Sequence, residues 1–293
     1  RLPGKSLSPA AFLKQLREVD ALMAKEQENL YEFAHRSFQE YLAAVEIKAT
    51  QQEALLLNAL RTPDKLEWWQ ETIRFYAAQA DASNLIAAIL NQPSFETMQL
   101  GCSLLQESLT IRPEIQEALR TKLSDVLQPL DSDTRQLVAQ RQLQPRYYKL
   151  GYYLQQQQWQ AADYETYLVM LDVAGCTQKR YLDIEDIQQF PCDDLQIIDR
   201  LWVNYSKTPD YPNGKWGFSV QKQIWQECGS PMSYNDEWEK FGDRVGWRKD
   251  NGWVSYDDLI FDLKKSPFGE FPTFRISFGK ERGVSLFSCR KDL

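Results

Sequence analysis

Histidine is nearly absent: His35 stands alone in 293 residues, and none occurs from 141 onward. Histidine chemistry is therefore excluded from the whole C-terminal half, and no nucleophile or orienting carboxylate near His35 in sequence suggests acid–base catalysis centred on it. The five cysteines, at 102, 176, 192, 228 and 289, are far apart and never form a CxxC pair. Neither a zinc site nor a disulfide framework is suggested, and reduced, mostly buried thiols are expected. No run approaches the roughly 20 apolar residues that a membrane-spanning helix needs. An apolar leader is also missing from the N-terminal stretch, so a cytoplasmic protein is expected. A basic excess is missing as well. The net charge of -7 argues against nucleic acid as a partner.

What the chain does have is a large aromatic content. Apolar residues make up 43% and aromatics 13%, enough to fill two cores in a chain of this length. Six of the nine tryptophans fall between Phe190 and Trp253. Leu195, Ile198, Leu201/Trp202 and Tyr205 recur at helical steps, behind Asp193 and Asp194 in a first turn where negative charge is favoured. Val220, Ile224 and Cys228 form a second stripe, ended by Gly229. Ser233 and Asp236 have capping-box spacing ahead of Trp238, Phe241 and Val245. Three short helices carry the tryptophans.

Further upstream, Leu150–Trp159 and Tyr164–Ala174 read as two helices, the second closed by Gly175. Ile184, Ile187 and Phe190 lie on a third. Asp131–Pro145 is polar and reads as a domain junction, and KTPDYPNG (207–214) as a surface loop. From Gln52 to Leu130, helical pieces are broken by Pro63, Pro93, Pro113 and Pro129, with apolar faces such as Trp69/Ile73/Tyr76 and Leu85/Ile89. Ala10–Leu22 reads as an amphipathic helix. Gly4-Lys5-Ser6 lacks the upstream glycine of a phosphate loop. The chain begins without Met, which suggests a piece of something longer. The paired carboxylates Asp183/Glu185/Asp186 and Asp257/Asp258 read as helix-start charges rather than metal ligands.

Phe190-Pro191, Asp194-Leu195, Leu201-Trp202, the run Trp216-Gly217-Phe218-Ser219-Val220-Gln221, Trp225, Gly246-Trp247 and Pro267-Phe268-Gly269-Glu270-Phe271-Pro272 occur here in one order. In that order they resemble the Genomes Uncoupled Four family, porphyrin-binding regulators of magnesium chelatase, from near Tyr147 to the C-terminus. A second stretch, YEFAHRSFQEYLAAVEI (31–47), resembles the end of the winged-helix part of NACHT-type signal-transduction NTPases. The piece beginning at Trp68-Trp69 is similar to the helical arm that follows it there. In such proteins the histidine matching His35 touches nucleotide phosphate; with no nucleotide-binding core here, a structural role is expected.

These resemblances imply an all-α protein: a winged-helix remnant (1–50) with a small β-hairpin near residues 22–34, a helical arm of antiparallel helices (51–140), and a compact porphyrin-binding domain (141–293). They imply a non-catalytic, cyanobacterial tetrapyrrole sensor that regulates magnesium chelatase or a linked NTPase in a larger NACHT-type protein. A porphyrin needs an apolar slot for its macrocycle and cations at one rim for its propionates. The slot is expected from Ile184, Ile187, Phe218, Trp253, Tyr256, Phe261 and Phe274, and the rim from Arg275 and Arg282. From Lys264 onward there are seven Lys/Arg against three Asp/Glu. The family's second rim arginine is replaced by Ser285. Without histidine in this half, protoporphyrin IX, Mg-protoporphyrin IX or a bilin fits better than haem. The alternative is an interaction scaffold whose cleft grips a partner peptide or helix.

Overall fold

The computed structural model describes residues 23–27, 30–231, 233–273 and 287. The expected Ala10–Leu22 helix, the Gly4-Lys5-Ser6 stretch, and Phe274, Arg275, Arg282 and Ser285 lie outside them. The protein is all-α, with two-stranded β-ribbons as its only sheets among the described residues. It divides into two compact units, residues 1–122 and 123–293.

In the first unit, β1 (Met23–Gln27) and β2 (Leu30–Phe33) pair antiparallel, Met23 opposite Phe33, which is the expected hairpin. His35 then stands in extended backbone as the N-cap of α1 (Arg36–Ala49), exposed, its ring 5.9 Å from Phe38. Helices α2 (Ala54–Leu60), α3 (Pro63–Ala77), α4 (Ser83–Asn91), α5 (Phe95–Glu107) and α6 (Pro113–Leu123) follow with short connections. Pro63 and Pro113 open helices rather than break them, because the first helical residue has no intrahelical use for an N–H. Leu56, Ile73, Leu85, Ile86, Ile89 and Leu104 fill this core. Arg74 ties α3 to α5, pairing with Glu107 at 2.5 Å and with Glu71 on its own helix at 2.7 Å.

The second unit starts with a 3-10 turn, Ser124–Leu127, and α7 (Ser132–Gln140). The polar stretch read as a junction is thus largely helical. Asp131 caps α7 by accepting from the Thr134 N–H at 3.0 Å and pairs with Arg200. Although burial opposes it, those bonds hold the Asp131 carboxyl down at about 2. Next come α8 (Gln144–Gln155) and α9 (Trp159–Val173). Trp159 therefore opens the second of the pair instead of closing the first. The break comes at Gln157, which takes φ +57 so that the Gln158 N–H can reach back to the Tyr153 carbonyl at 2.9 Å. Gln51 and Gln142 end helices in the same left-handed conformation, the position usually given to glycine.

The rest of the unit is α10 (Ile184–Gln189), α11 (Cys192–Tyr205), α12 (Phe218–Glu227), α13 (Asp236–Arg244) and a tight ribbon of β3 (Arg248–Lys249) with β4 (Gly252–Trp253). Asn235, not Ser233, caps α13, accepting from the Trp238 N–H at 3.0 Å. Asp183 and Asp186 form a capping box at the start of α10, as their placement implied, and both pair with Lys179.

Candidate functional site

The tryptophan-rich unit is knitted by rings. Trp216 meets Trp159 edge-on at 5.0 Å, Trp202 at 6.0 Å and Phe271 at 5.0 Å. Phe261 stacks on Phe271 at 4.8 Å, and Tyr256 leans on Phe261 at 5.4 Å. A line of aromatic contacts thus runs from the buried core to the half-buried Tyr256.

The WGFSVQ motif is explained atom by atom. Trp216 and Phe218 are core, while the Ser219 N–H and hydroxyl both donate to Asp199 Oδ1, at 2.8 and 3.0 Å. Asp199, on α11, thereby caps α12 in place of a local residue. Gly217 sits between them at φ +145, and a Cβ there would lie 2.6 Å from Val203 Cγ2 and 2.8 Å from Asp199 Oδ1. Only glycine fits. Burial pushes the Asp199 carboxyl up despite its hydrogen bonds. The Gln221 amide donates to the carbonyls of Gly269 (2.9 Å) and Pro272 (2.8 Å), joining this helix to the PFGEFP segment.

That segment, 267–272, is held on every side. Trp216 Nε1–H donates to Pro267 O, Trp247 Nε1–H to Glu270 O at 2.8 Å, and the Gly217 N–H to Phe271 O at 2.9 Å. The next residue, Thr273, donates its N–H and its hydroxyl to the two oxygens of Asp163 on α9, at 2.5 and 2.6 Å. Further on, Phe287 packs against Trp225 and Phe241. Glu270 is 2% exposed, and burial raises its carboxyl to about 7, offset in part by the Ile260 N–H and Lys215. Lys215 is also buried, which lowers its ammonium; its Nζ donates to Leu263 O at 2.7 Å.

The residues expected to line a slot divide into two groups. Ile187 and Phe218 are fully buried core. Ile184 is 38% and Trp253 40% exposed, and Tyr256 and Phe261 are half-buried and in contact. Trp253 lies 6.3 Å from Tyr234, over Gly242 and beside Arg248. Arg248 is already engaged by Glu239 at 2.8 Å and Asp243 at 3.7 Å, so it has little charge to offer an anion. Near Ile184, Lys179 is likewise held by two carboxylates. No cluster of His, Cys, Asp or Glu suited to a metal ion occurs among the described residues, and no described helix is long and apolar enough to cross a membrane. Sequence reasoning missed Asp199 and Asp163, and for Asp194 it gave the helix start but not the partners. Asp194 accepts from Tyr147 at 2.5 Å and Arg146 at 3.1 Å, a bond joining α8 to α11. An aspartate inside a strongly apolar helical stripe was the available signal, since a buried carboxylate must find donors.

Comparison with known proteins places this arrangement. The chain is 32% identical over 130 residues to the uncharacterized protein ycf53 of Pyropia yezoensis, covering 44% of this chain and 48% of that one. It is 26% identical over 148 residues to the tetrapyrrole-binding protein, chloroplastic, of Arabidopsis thaliana, covering 47% and 50%. It spans about half the length of the curated relatives it matches. The ligand-free structure of Arabidopsis thaliana GUN4 aligns with 49% of this chain and 89% of its own at 25% identity and a TM-score of 0.39. A family model described as GUN4-like matches residues 140–288, just over half the chain, and the protein belongs to that family.

Proposed function

We propose that residues 140–288 bind a tetrapyrrole without transforming it, and that occupancy is relayed to a larger partner. The observation that carries this is the half-buried pair Tyr256 and Phe261, tied through Phe271 to the tryptophan core, with the 40% exposed Trp253 three residues upstream of Tyr256. A flat, wide apolar ligand is served by aromatic faces that need little reordering. The Arabidopsis relative's description as tetrapyrrole-binding supports the same class. Ile184 and Phe274 extend the apolar wall, with Ile187 and Phe218 as its buried backing. Arg275 and Arg282 pair with the propionates, the role that the family resemblance implies for them; Arg248 and Lys179 are already ion-paired.

The ligand in this reading is protoporphyrin IX, Mg-protoporphyrin IX or a bilin. The partner is a magnesium chelatase subunit or, through the winged-helix remnant (1–50) and helical arm (51–140), a NACHT-type NTPase. In a cyanobacterial cytoplasm either would couple pigment supply to control.

The test is the Arg282 series. Arg282→Ala should weaken protoporphyrin IX binding by about 1.5–3 kcal/mol, the scale of a charged hydrogen bond. Lysine should restore part, having the charge without the bidentate fork, and glutamate should be worse than alanine. The dimethyl ester should barely distinguish the four proteins. Equal affinity of all four for the free acid removes Arg282 from the rim. A cleft built for a peptide or helix would show saturable peptide binding and no preference for the acid.

A further inference from the structure

The first unit holds a groove of about 550 Å³ between α2 and α4, two helices that pack on each other. That volume lies within the range of ligand pockets. The floor is apolar, with Leu57 and Leu60 from α2 and Ala87 and Ala88 from α4. The rim is polar and exposed: Arg61 at the C-cap of α2, and Asn84, Asn91 and Gln92 from α4 and its end. Along α4 these positions recur at three- and four-residue steps, so a single stripe carries amides at both ends and methyl groups between them. Asn84 is held at one end, its Nδ2–H donating to Glu53 Oε2 at 3.0 Å. Among the described residues, the side chains of Arg61, Asn91 and Gln92 have no hydrogen-bond or ion-pair partner.

A primary amide offers two donors and an acceptor, the complement of a peptide unit's C=O and N–H. Asn84 and Asn91 are about 10 Å apart along the helix, the rise of three residues in an extended chain. A helical occupant would have spent its backbone groups on itself and left these amides unanswered. The alanines leave room for side chains on the floor, and Arg61 matches a carboxylate. We infer that the groove takes a short extended segment of a partner protein, with backbone groups on Asn84 and Asn91, apolar side chains on the floor, and an acidic side chain paired with Arg61. It uses no residue of the candidate tetrapyrrole site and does not depend on that reading.

The probe is the pentapeptide Leu-Thr-Leu-Thr-Glu, acetylated and amidated so that its one carboxylate is the glutamate side chain. Its threonines favour an extended chain. Calorimetric titration of the full chain compares it with the same peptide ending in glutamine, and with a version N-methylated at both threonines. The glutamate peptide should saturate wild type with a dissociation constant below about 1 mM. The glutamine peptide should bind roughly tenfold more weakly, the scale of one charge-assisted contact. Arg61→Gln should bind the two alike, and Asn91→Ala should weaken both by the same factor, about fivefold. The N-methylated peptide, lacking those backbone donors, should not bind. Thermal melts check that these exposed substitutions keep the fold. Absence of saturable binding by the glutamate peptide, a glutamate preference that survives Arg61→Gln, or equal binding of the N-methylated peptide overturns the inference. None of these outcomes bears on porphyrin binding by residues 140–288.

Discussion

Glu270 gives a stability signature that belongs to the PFGEFP segment alone. Its carboxyl is buried, and its folded-state value of about 7 lies above the ordinary 4.5 because burial disfavours the charged form. The protonated side chain is therefore the one the fold prefers. Its contribution is complete below pH 4.5 and is lost as pH rises through 7. Full linkage over that shift amounts to about 3 kcal/mol, of which roughly two-fifths is already lost by pH 5.5. Allowing for screening by solvent, about 1–2 kcal/mol remains to be lost between pH 5.5 and 8.5. Glu270→Gln keeps an acceptor for the Ile260 N–H and cannot ionise. Urea denaturation followed by tryptophan fluorescence at several pH values then reads the effect, since titrating groups that do not interact with Glu270 cancel between the two proteins, and Lys215, which does interact, stays charged across most of this window. Wild type should lose stability relative to Glu270→Gln as pH rises across that window. A difference that stays constant from pH 5.5 to 8.5, or runs the other way, refutes the burial argument for this group.

Two further substitutions test the backbone of the second unit. Gly269 has φ +81, and a Cβ there would lie 2.4 Å from Ile224 Cδ1, so Gly269→Ala should cost about 2–4 kcal/mol from left-handed strain plus overpacking, read by chemical denaturation. Gln157→Gly should do the opposite, raising stability by about 0.5–1 kcal/mol in the same assay, because Gln157 holds a conformation that glycine adopts freely.

Much of this architecture is legible in the sequence because its signals are local. Asp193 and Asp194 do open a helix, Gly175 and Gly229 do end helices at positive φ, and the apolar stripe from Leu195 to Trp202 is core. The failures are of two physical kinds. Helix ends at Gln51, Gln142 and Gln157 use a left-handed residue that is not glycine, so no compositional mark shows where α8 stops or that Trp159 begins α9. The α13 cap falls on Asn235 rather than the expected Ser233, because Asn235 has the extended backbone that lets its side chain accept from the Trp238 N–H. The other kind is long-range. Asp163 with Thr273, Asp194 with Tyr147 and Asp199 with Ser219 are pairings between distant segments, so each carboxylate reads alone as an ordinary polar residue on a helix. For the candidate site, aromatic content alone does not give orientation. Ile187 and Phe218 have the same chemistry as Ile184 and Phe261, and only packing separates the buried pair from the accessible one.

The most direct measurement is a titration of the wild-type chain with protoporphyrin IX, following the Soret band and tryptophan emission together. Trp253 is 40% exposed, and Trp202 and Trp216 are linked through Phe271 to the half-buried Phe261. The account predicts a Soret shift with quenched emission, both saturating at one porphyrin per chain. A spectrum unchanged from free porphyrin, with emission falling only in proportion to added absorbance, contradicts it.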